Sequence, residues 1–323
     1  MKILSKLPCA AQLKEEIRLS QDAIGKKEQN DAEIAAILRG DCHRLLLIVG
    51  PCSADNPAAV LEYAVRLGKI ARDVRERICM AVRVFTAKPR TISCGYMGLV
   101  HEDGGIQAAR RLHLDVCEQT GLPTADELLY TATLPYFDDI VSYFVIGARS
   151  VENQEHRLVA SGVAAPVGMK NPLSGDLRGM ANAVAAARAP HSFIFGGHMV
   201  QSTGNPLAHG VLRGGITTPN YHAENLLAAH NLGLSTVIVD TNHANSGKNH
   251  VKQPEIAMDV LKSRRECPVI GGLVKGLMVE SYIAEGAEQR GKQAFGQSIT
   301  DPCLGLAATE ELIYEIADSA RKM

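Results

Sequence analysis

The chain has 323 residues, of which 46% are hydrophobic, and its formal net charge at pH 7 is −1. This near-neutral charge supplies no overall attraction to nucleic acid or to an anionic membrane, so we expect neither as a partner. The length is ample for one α/β barrel, which typically needs about 250 residues, and it would also hold two average domains.

Eight cysteines are scattered along the chain, none of them in a CxxC pair. The start, Met1 to Ser5, is too short and polar for a secretory signal, and no apolar run is long enough to cross a bilayer. We therefore expect a cytoplasmic protein with reduced thiols, most of which fill core space.

The predicted elements begin with a polar, helix-favouring stretch at residues 10–40, after which short β-branched runs alternate with longer amphipathic stretches. The predicted strands are Leu45–Val49, Ile78–Phe85, Thr124–Leu129, Val145–Arg149, Val167–Lys170, Ser192–Phe195, Thr236–Asp240 and Gly276–Glu280. The predicted helices are Ala58–Asp73, Ile106–Thr120, Glu152–Ser161, Gly179–Ala189, Tyr221–Leu232 and Gln253–Ser263. This alternation favours a (β/α)8 TIM barrel at residues 43–323, preceded by a short N-terminal helical extension at residues 1–42, as a single catalytic domain. An open doubly wound sheet is the alternative, but no glycine-rich dinucleotide motif follows the first strand.

Four potential metal ligands follow strand-like runs that are far apart in the sequence: Cys52, His243, Glu280 and Asp301. Cys52 follows the first predicted strand, His243 follows the seventh, Glu280 ends the eighth, and Asp301 lies beyond it. The carboxyl ends of parallel barrel strands converge on one face, so these side chains are expected to meet there. One thiolate, one imidazole and two carboxylates would form a mixed-softness site for a divalent metal ion.

Six basic residues also fall at or just after predicted strand ends. They are Arg83, Lys88, Arg90, Arg149, Lys170 and Arg213. Arginine presents a planar fork that matches phosphate and carboxylate, and lysine supplies a compact charge. One such residue alone would more often be a surface or ion-pair residue, and a lone Cys or His is usually structural. Their joint occurrence favours a site for two phosphorylated substrates, or for a phosphate and a carboxylate.

Eight motifs, in order along nearly the whole chain, resemble those of the type I 3-deoxy-D-arabino-heptulosonate 7-phosphate (DAHP) synthases. The motifs are Gly50-Pro51-Cys52-Ser53, Lys88-Pro89-Arg90-Thr91, Gly147-Ala148-Arg149, Pro166–Asn171, Leu212-Arg213-Gly214-Gly215, His243-Ala244-Asn245-Ser246, Met278–Ser281 and Ser298–Asp301. The resemblance implies one divalent metal ion, Mn²⁺, Co²⁺, Fe²⁺ or Zn²⁺. Its implied ligands are Cys52, His243, Glu280 and Asp301.

The same resemblance implies two small-molecule substrates. Phosphoenolpyruvate would be bound by Arg83, Lys88, Glu127, Arg149, Lys170 and Arg213. Erythrose 4-phosphate would be bound by Arg90, Thr91 and Asp240. The implied enzyme is a 3-deoxy-7-phosphoheptulonate synthase, a transferase that condenses these substrates to DAHP and inorganic phosphate in the shikimate pathway of aromatic amino acid biosynthesis or a specialised branch of it. Its implied catalytic residues are Lys88, Cys52 and His243, and we expect a homodimer or homotetramer.

Several segments depart from the family pattern, and the first of them lies beside the expected effector pocket. Leu128–Pro135 lacks the usual Asp-Met/Ile-Thr-Pro-Gln run, Phe193–Met199 also deviates, and Tyr96 stands where the family commonly has Trp. We also expect the family's N-terminal arm to be short or missing. We therefore hypothesise weak or absent feedback inhibition by aromatic amino acids.

Three other functions stay open at this point. A 3-deoxy-octulosonate 8-phosphate synthase-like enzyme would use another aldose phosphate, although the Lys88–Thr91 motif argues against it. A Schiff-base aldolase would use Lys170 as its amine. A non-catalytic metabolite sensor would be indicated by the loss of a metal ligand, but all four are present.

Overall fold

The structure is a computed structural model that describes residues 1–90, 95–216 and 218–320. Its strands are β1 (Leu45–Gly50), β2 (Ile78–Arg83), β3 (Thr124–Glu127), β4 (Tyr143–Ile146), β5 (Val167–Lys170), β6 (Ser192–Phe195), β7 (His198–Gln201), β8 (His209–Leu212), β9 (Val237–Asp240) and β10 (Val274–Glu280). Its α-helices are α1 (Ala10–Glu16), α2 (Gln21–Arg39), α3 (Pro57–Val74), α4 (Gly105–Thr120), α5 (Gln154–Ala160), α6 (Leu177–Arg188), α7 (Ala223–Asn231), α8 (Gln253–Glu266), α9 (Pro268–Leu273) and α10 (Leu306–Ala320). Short 3₁₀ turns lie at Leu99–His101, Thr131–Tyr136 and His250–Lys252.

Eight strands close into a parallel barrel in the order β1-β10-β9-β8-β5-β4-β3-β2. The predicted (β/α)8 fold is confirmed, and α1 and α2 precede the first strand. On one side of β1, Gly50 pairs with Glu280, and on the other side Val49 pairs with Val82. This register brings the carboxyl ends of the strands to one face of the barrel, where the loops that follow them can form a site.

Alternate residues of a strand point to opposite faces, and β1 accordingly contributes to two cores. Leu46 and Ile48 belong to the cluster inside the barrel, whereas Leu47 and Val49 pack toward the outer helices. Helix α2 adds three apolar side chains to the inner cluster, namely Ile34, Ile37 and Leu38. The Leu38 carbonyl accepts a hydrogen bond from the hydroxyl of Thr236, just before β9, so α2 covers the amino-terminal end of the barrel.

The prediction for the sixth barrel strand is wrong. Ser192–Phe195 pairs antiparallel with His198–Gln201 in a separate hairpin, whose Gly196-Gly197 turn has positive φ at both residues. Such φ values suit a tight two-residue hairpin turn. The sixth barrel strand is His209–Leu212, which is fully buried. Its histidine and glycine weaken the β-branched signal on which the prediction depended.

Within the part of the chain that the structure describes, no helix combines the length and the apolar character that crossing a membrane would require.

Candidate active site

Most of the sequence-predicted site residues line one cavity of about 320 Å³ at the carboxyl ends of the strands. They are Cys52, Arg83, Lys88, Arg90, Glu127, Arg149, Lys170, Arg213, His243, Glu280 and Asp301. Asp240, the last residue of β9, is fully buried and contacts two of these lining residues, Lys170 and His243. Thr91 lies outside the described residues. With Lys248 included, the lining holds seven basic against three acidic side chains, so the cavity attracts anions.

Two glycines leave room for charged side chains near the cavity. At Gly50, the end of β1, an added Cβ would lie 2.7 Å from the carbonyl oxygen of Arg83. At Gly147, just after β4, an added Cβ would lie 2.0 Å from Glu127 Oε1. A larger residue at either position would therefore displace a neighbour that helps to form the site.

Three of the four predicted metal ligands converge closely. One ligand atom from each of Cys52, Glu280 and Asp301 lies within 4.8 Å of the other two. Metal–ligand bonds of about 2.0–2.3 Å allow ligands of one ion to be at most about 4.5 Å apart, so this spacing suits one ion after small side-chain adjustments. The fourth predicted ligand lies at the edge of the cluster, with His243 Nε2 3.7 Å from Glu280 Oε1. The residues present therefore fit a divalent ion.

A tight turn after β9 aims the His243 ring at this cluster. Asp240 Oδ1 accepts a hydrogen bond from the Asn242 backbone N–H at 3.0 Å, and His243 adopts a positive φ of 49°. Positive φ is uncommon outside glycine, and strained backbone of this kind clusters at functional sites. Asp240 Oδ2 lies 2.9 Å from His243 Nδ1, which leaves Nε2 directed toward Glu280. A carboxylate behind a histidine ligand fixes its tautomer and ring orientation.

Glu280 is fully buried, and both of its carboxylate oxygens accept hydrogen bonds. Oε1 accepts from Arg83 Nη2 at 2.8 Å, and Oε2 accepts from Asn242 Nδ2 at 2.6 Å. Burial alone would raise the pKa of Glu280, but the positive charges of His243 and Arg83 outweigh that effect and lower it. The ionised carboxylate can therefore bind a cation without first losing a proton.

The Lys88 amine lies between two of the predicted ligands, 2.7 Å from Cys52 Sγ and 3.2 Å from Asp301 Oδ2. Burial raises the pKa of Cys52 to about 12, so this thiol is neutral at pH 7 before any metal binds. The charge that faces Lys88 is then the Asp301 carboxylate, whose own pKa is lowered by Lys88 and His243 against the opposing effect of burial. Burial would lower the pKa of Lys88, but nearby negative charge raises it. Lys88 is therefore a protonated amine in the cavity wall, and it has a proton to donate.

Arg83 has one hydrogen-bond donor left for an anion. Its Nε donates to the Pro51 carbonyl at 3.3 Å and its Nη2 donates to Glu280. Its Nη1 is buried and has no hydrogen-bond partner among the described residues. A buried donor without a partner costs free energy, which an anion bound in the cavity would recover.

Lys170 and Asp240 form a buried ion pair under the cavity, with Lys170 Nζ donating to Asp240 Oδ2 at 2.9 Å. Burial would raise the pKa of Asp240, but His243 and Lys170 hold it well below its usual range. An ammonium group held by an ionised carboxylate is a poor nucleophile. The contact therefore disfavours the Schiff-base alternative.

Buried asparagines hold the loop that carries Arg213. Asn171 Oδ1 accepts from the Arg213 backbone N–H at 2.8 Å. Asn220 Oδ1 accepts from the Gly214 N–H, and Asn245 Oδ1 accepts from the Asn220 N–H, both at 2.8 Å. Because each amide is buried and engaged, the loop keeps one conformation and the Arg213 side chain stays in the cavity wall.

Three further residues of this region, Lys248, Phe85 and Asn242, are not among those predicted from the sequence. Lys248 lines the cavity, has a positive φ of 63°, and places its amine 3.2 Å from Asp301 Oδ1. The Phe85 ring lies 3.8 Å from the guanidinium carbon of Arg83, and Asn242 holds Glu280. Only Lys248 had a sequence signal, since it is a basic residue in the loop after a predicted strand.

Comparison with known proteins identifies the family. The profile of the DAHP synthetase I family matches residues 17–313. The Trp-sensitive phospho-2-dehydro-3-deoxyheptonate aldolase of Escherichia coli K12 is 38% identical over 308 residues, which cover 88% of this chain and 87% of that protein. The phospho-2-dehydro-3-deoxyheptonate aldolase of Corynebacterium glutamicum is 34% identical over 333 residues, which cover 94% of this chain and 89% of that protein. A solved phospho-2-dehydro-3-deoxyheptonate aldolase from Francisella tularensis SCHU S4 has a TM-score of 0.93 and 30% identity, covering 100% of this chain and 99% of that one. The chain belongs to the DAHP synthetase I family.

Proposed function

We propose that the protein is a DAHP synthase that condenses phosphoenolpyruvate with erythrose 4-phosphate, giving DAHP and inorganic phosphate. The reaction would be the first step of the shikimate pathway or of a specialised branch of it. Family membership and the names of the relatives support this reaction. The observation that carries it is the position of Lys88, which lies between Cys52 and Asp301 in the wall of a strongly basic cavity.

We propose that one divalent ion is held by Cys52, His243, Glu280 and Asp301. A donor set of thiolate, imidazole and carboxylate suits Mn²⁺, Co²⁺, Fe²⁺ or Zn²⁺ better than Mg²⁺ or Ca²⁺, which prefer oxygen alone. When bound there, the ion supplies a Lewis acid for the aldehyde carbonyl of erythrose 4-phosphate. The Asp240 carboxylate behind His243 supports this assignment, because it directs Nε2 toward the other ligands.

The basic residues would hold two anionic substrates together although their charges repel each other. For phosphoenolpyruvate the proposed residues are Arg83, Lys88, Glu127, Arg149, Lys170 and Arg213. For erythrose 4-phosphate they are Arg90, Thr91 and Asp240. Holding both substrates in one orientation turns a bimolecular reaction into one that occurs within a single complex. This effect is a large part of the rate acceleration that such a site can supply.

Lys88 is proposed to give its proton to the aldehyde oxygen while carbon 3 of phosphoenolpyruvate attacks the aldehyde carbon. Water then adds at carbon 2, and the intermediate loses inorganic phosphate as the C–O bond breaks. Glu127 is proposed to orient that water, since its carboxylate lies at the cavity wall beside Gly147. The position of Lys88 supports the donor role, because its amine lies 2.7 Å from Cys52 Sγ and 3.2 Å from Asp301 Oδ2, two of the proposed metal ligands.

Lys88→Met tests the proton-donor role, and Lys248→Met is its matched control. Both amines lie 3.2 Å from an Asp301 carboxylate oxygen, but Lys88 is buried and Lys248 is exposed. We expect kcat to fall by about 10²–10⁴-fold in Lys88→Met and by far less in Lys248→Met, which loses a cavity charge but not the buried amine between Cys52 and Asp301. If Lys88→Met turns over at the wild-type rate while it still binds Mn²⁺ and phosphoenolpyruvate in calorimetry, the donor role is wrong.

Chelation and substrate choice test the reaction itself. Activity should disappear when the divalent ion is removed and return with Mn²⁺, Co²⁺ or Fe²⁺. Full activity of a chelator-treated, metal-free sample would contradict the metal proposal. A higher kcat/KM with arabinose 5-phosphate than with erythrose 4-phosphate would favour the octulosonate-type reaction instead.

Two further proposals concern regulation and assembly. Because Leu128–Pro135 and Phe193–Met199 differ from the family pattern, we propose weak or absent feedback inhibition. Strong inhibition by micromolar Phe, Tyr or Trp would contradict this. A homodimer or homotetramer is also proposed, and sedimentation equilibrium would measure its size.

A further inference from the structure

A second cavity, with a volume of about 670 Å³, is lined by residues from the amino-terminal end of the barrel. Its walls come from the ends of α2 and α6, the residues before and at the start of β8 and β9, and the start of β10. The charged or titratable side chains of its lining are Arg39, Asp41, Arg188, His209 and Lys275. Nothing in the proposed catalytic reaction uses them.

The basic side chains of this cavity outnumber their counter-charges. Arg39 Nε pairs with Asp41 Oδ2 at 2.7 Å, so the single lining carboxylate is engaged. Arg188 uses only its Nε, which donates to the Ala208 carbonyl at 2.8 Å. Among the residues that the structure describes, the other two Arg188 nitrogens and the Lys275 amine form no hydrogen bond or ion pair. Arg188 and Lys275 are thus left with unused N–H bonds, and Arg39 is paired with Asp41 at the rim of the cavity.

Partial burial disfavours the charged forms of these basic groups. It lowers the pKa of Arg188 and also that of Lys275, to which the neighbouring Arg264 adds. His209 contributes no charge: its Nδ1 donates to the Leu207 carbonyl at 2.8 Å, so its Nε2 accepts from the Tyr143 hydroxyl at 2.6 Å. Burial keeps the pKa of His209 near 4, and the ring is neutral.

Helix ends explain only part of this charge. Arg39 and Arg188 lie in the last turns of α2 and α6, where the partial negative charge of a helix terminus favours cations. Lys275 is a strand residue whose amine would lie 3.1 Å from a Cβ added at Gly40, the residue that caps α2. A partial charge of about half a unit per helix end does not supply hydrogen-bond acceptors to the unused nitrogens.

We propose that this cavity binds a small oxyanion of the phosphate class, with Arg188 and Lys275 as its principal donors and Arg39 at its rim. A phosphate group accepts several hydrogen bonds at once, which suits a guanidinium fork and an ammonium group that line one cavity. Inorganic phosphate and a phosphomonoester share this chemistry. The site is distinct from the catalytic cavity, because β8 runs from His209 here to the residue before Arg213 there.

Calorimetric titration with inorganic phosphate tests the site in the wild type, in Arg188→Met, in Lys275→Met, in the double variant Arg188→Met/Lys275→Met and in Lys262→Met. Lys262 is the matched control because it is an exposed lysine on α8 whose amine is 4.0 Å from Glu266. The catalytic cavity also attracts phosphate, so we expect the double variant to lose one site from the stoichiometry and keep the rest. Each single variant should weaken that one site by about tenfold or more, and Lys262→Met should match the wild type.

Anomalous diffraction from crystals soaked in arsenate locates the ion independently of any variant. Density between Arg188 and Lys275 in the wild type supports the site even if the double variant fails to fold, and its absence overturns the proposal. A folded double variant with wild-type stoichiometry and affinity also overturns it. Tighter binding of glycerol 2-phosphate than of inorganic phosphate would identify a phosphomonoester as the ligand, and weaker binding the free ion. No catalytic assay enters these tests, so their failure leaves the proposed reaction untouched.

Discussion

Asp240→Asn is a sharp test of the catalytic cavity, because Asp240 joins its proposed metal ligands to its anion-binding residues. The carboxylate is fully buried and accepts from Lys170 Nζ at 2.9 Å and from the Asn242 backbone N–H at 3.0 Å. It also lies 2.9 Å from His243 Nδ1. Asparagine keeps the shape of the side chain and removes its charge.

Two separate losses follow from that change. Lys170 becomes a buried cation without its counter-charge, which should lower the free energy of unfolding by about 3–5 kcal/mol. The His243 ring loses the carboxylate that fixes its tautomer and orientation, which should weaken metal binding by about 10–100-fold. The first loss reports on the ion pair and the second on the metal site.

Urea unfolding measures the first loss and calorimetry with Mn²⁺ measures the second. Asp139→Asn is the control, because it breaks the 2.7 Å pair with the buried Arg110 away from the cavity. It should destabilise the protein and leave Mn²⁺ affinity unchanged. Lys170→Met/Asp240→Asn should recover much of the lost stability, since no buried charge is then left alone. Wild-type Mn²⁺ affinity in Asp240→Asn would refute the role given to this carboxylate.

Three other outcomes are expected. Burial raises the pKa of Asp55 to about 6, and its Oδ1 has no hydrogen-bond partner among the described residues. The pKa of an aspartate in the unfolded chain is about 3.9, so the wild type loses stability as pH rises from about 4 to about 6. Urea unfolding should therefore show Asp55→Asn to be more stable than the wild type by about 1–2 kcal/mol above that pH range, but not below it. Gly147→Ala should push Glu127 aside and lower kcat/KM by about 10²-fold, whereas Gly25→Ala, where no heavy atom lies within 4 Å, should leave kinetics unchanged. Calorimetry should show that Mn²⁺ and phosphoenolpyruvate strengthen each other's binding by about 5–150-fold. The reason is that the proposed metal ligands are paired with the proposed phosphoenolpyruvate residues when neither ligand is bound. Equal Mn²⁺ affinities with and without phosphoenolpyruvate would contradict this.

The convergence of the cavity residues could be predicted from the sequence because most of them end or follow a recognisable strand. Lys170 and Glu280 close runs of apolar residues, and Cys52 lies two residues after such a run. Barrel closure then brings these ends to one face whatever their separation in the chain. This convergence depends on the existence of the strands and not on their exact bounds.

The sixth strand could not be identified in this way, because burial rather than intrinsic preference decides it. Ser192–Phe195 has the aromatic and β-branched residues of a strand, yet its residues are exposed or half-buried in a hairpin. His209–Leu212 carries a glycine because α6 packs against it: an added Cβ at Gly210 would lie 3.1 Å from the sulfur of Met180. Propensity favoured the wrong segment, and tertiary packing overrode it.

The pairing of charges was beyond the sequence for a different reason, which is that the partners come from or follow strands far apart in the chain that flank a third strand in the barrel: β2 and β10 flank β1, and β5 and β9 flank β8. The pairs are Arg83 with Glu280 at 2.8 Å, Lys88 with Asp301 at 3.2 Å and Lys170 with Asp240 at 2.9 Å. Replacing a buried ion pair by apolar residues is often neutral or stabilising, so stability alone does not account for three of them in one cavity. Their physical effect is to keep the three carboxylates ionised in the cavity, where burial alone would raise the pKa of each one. In a basic cavity that is proposed to bind two anions, the carboxylates of Glu280, Asp301 and Asp240 therefore supply much of the negative charge until the anions bind.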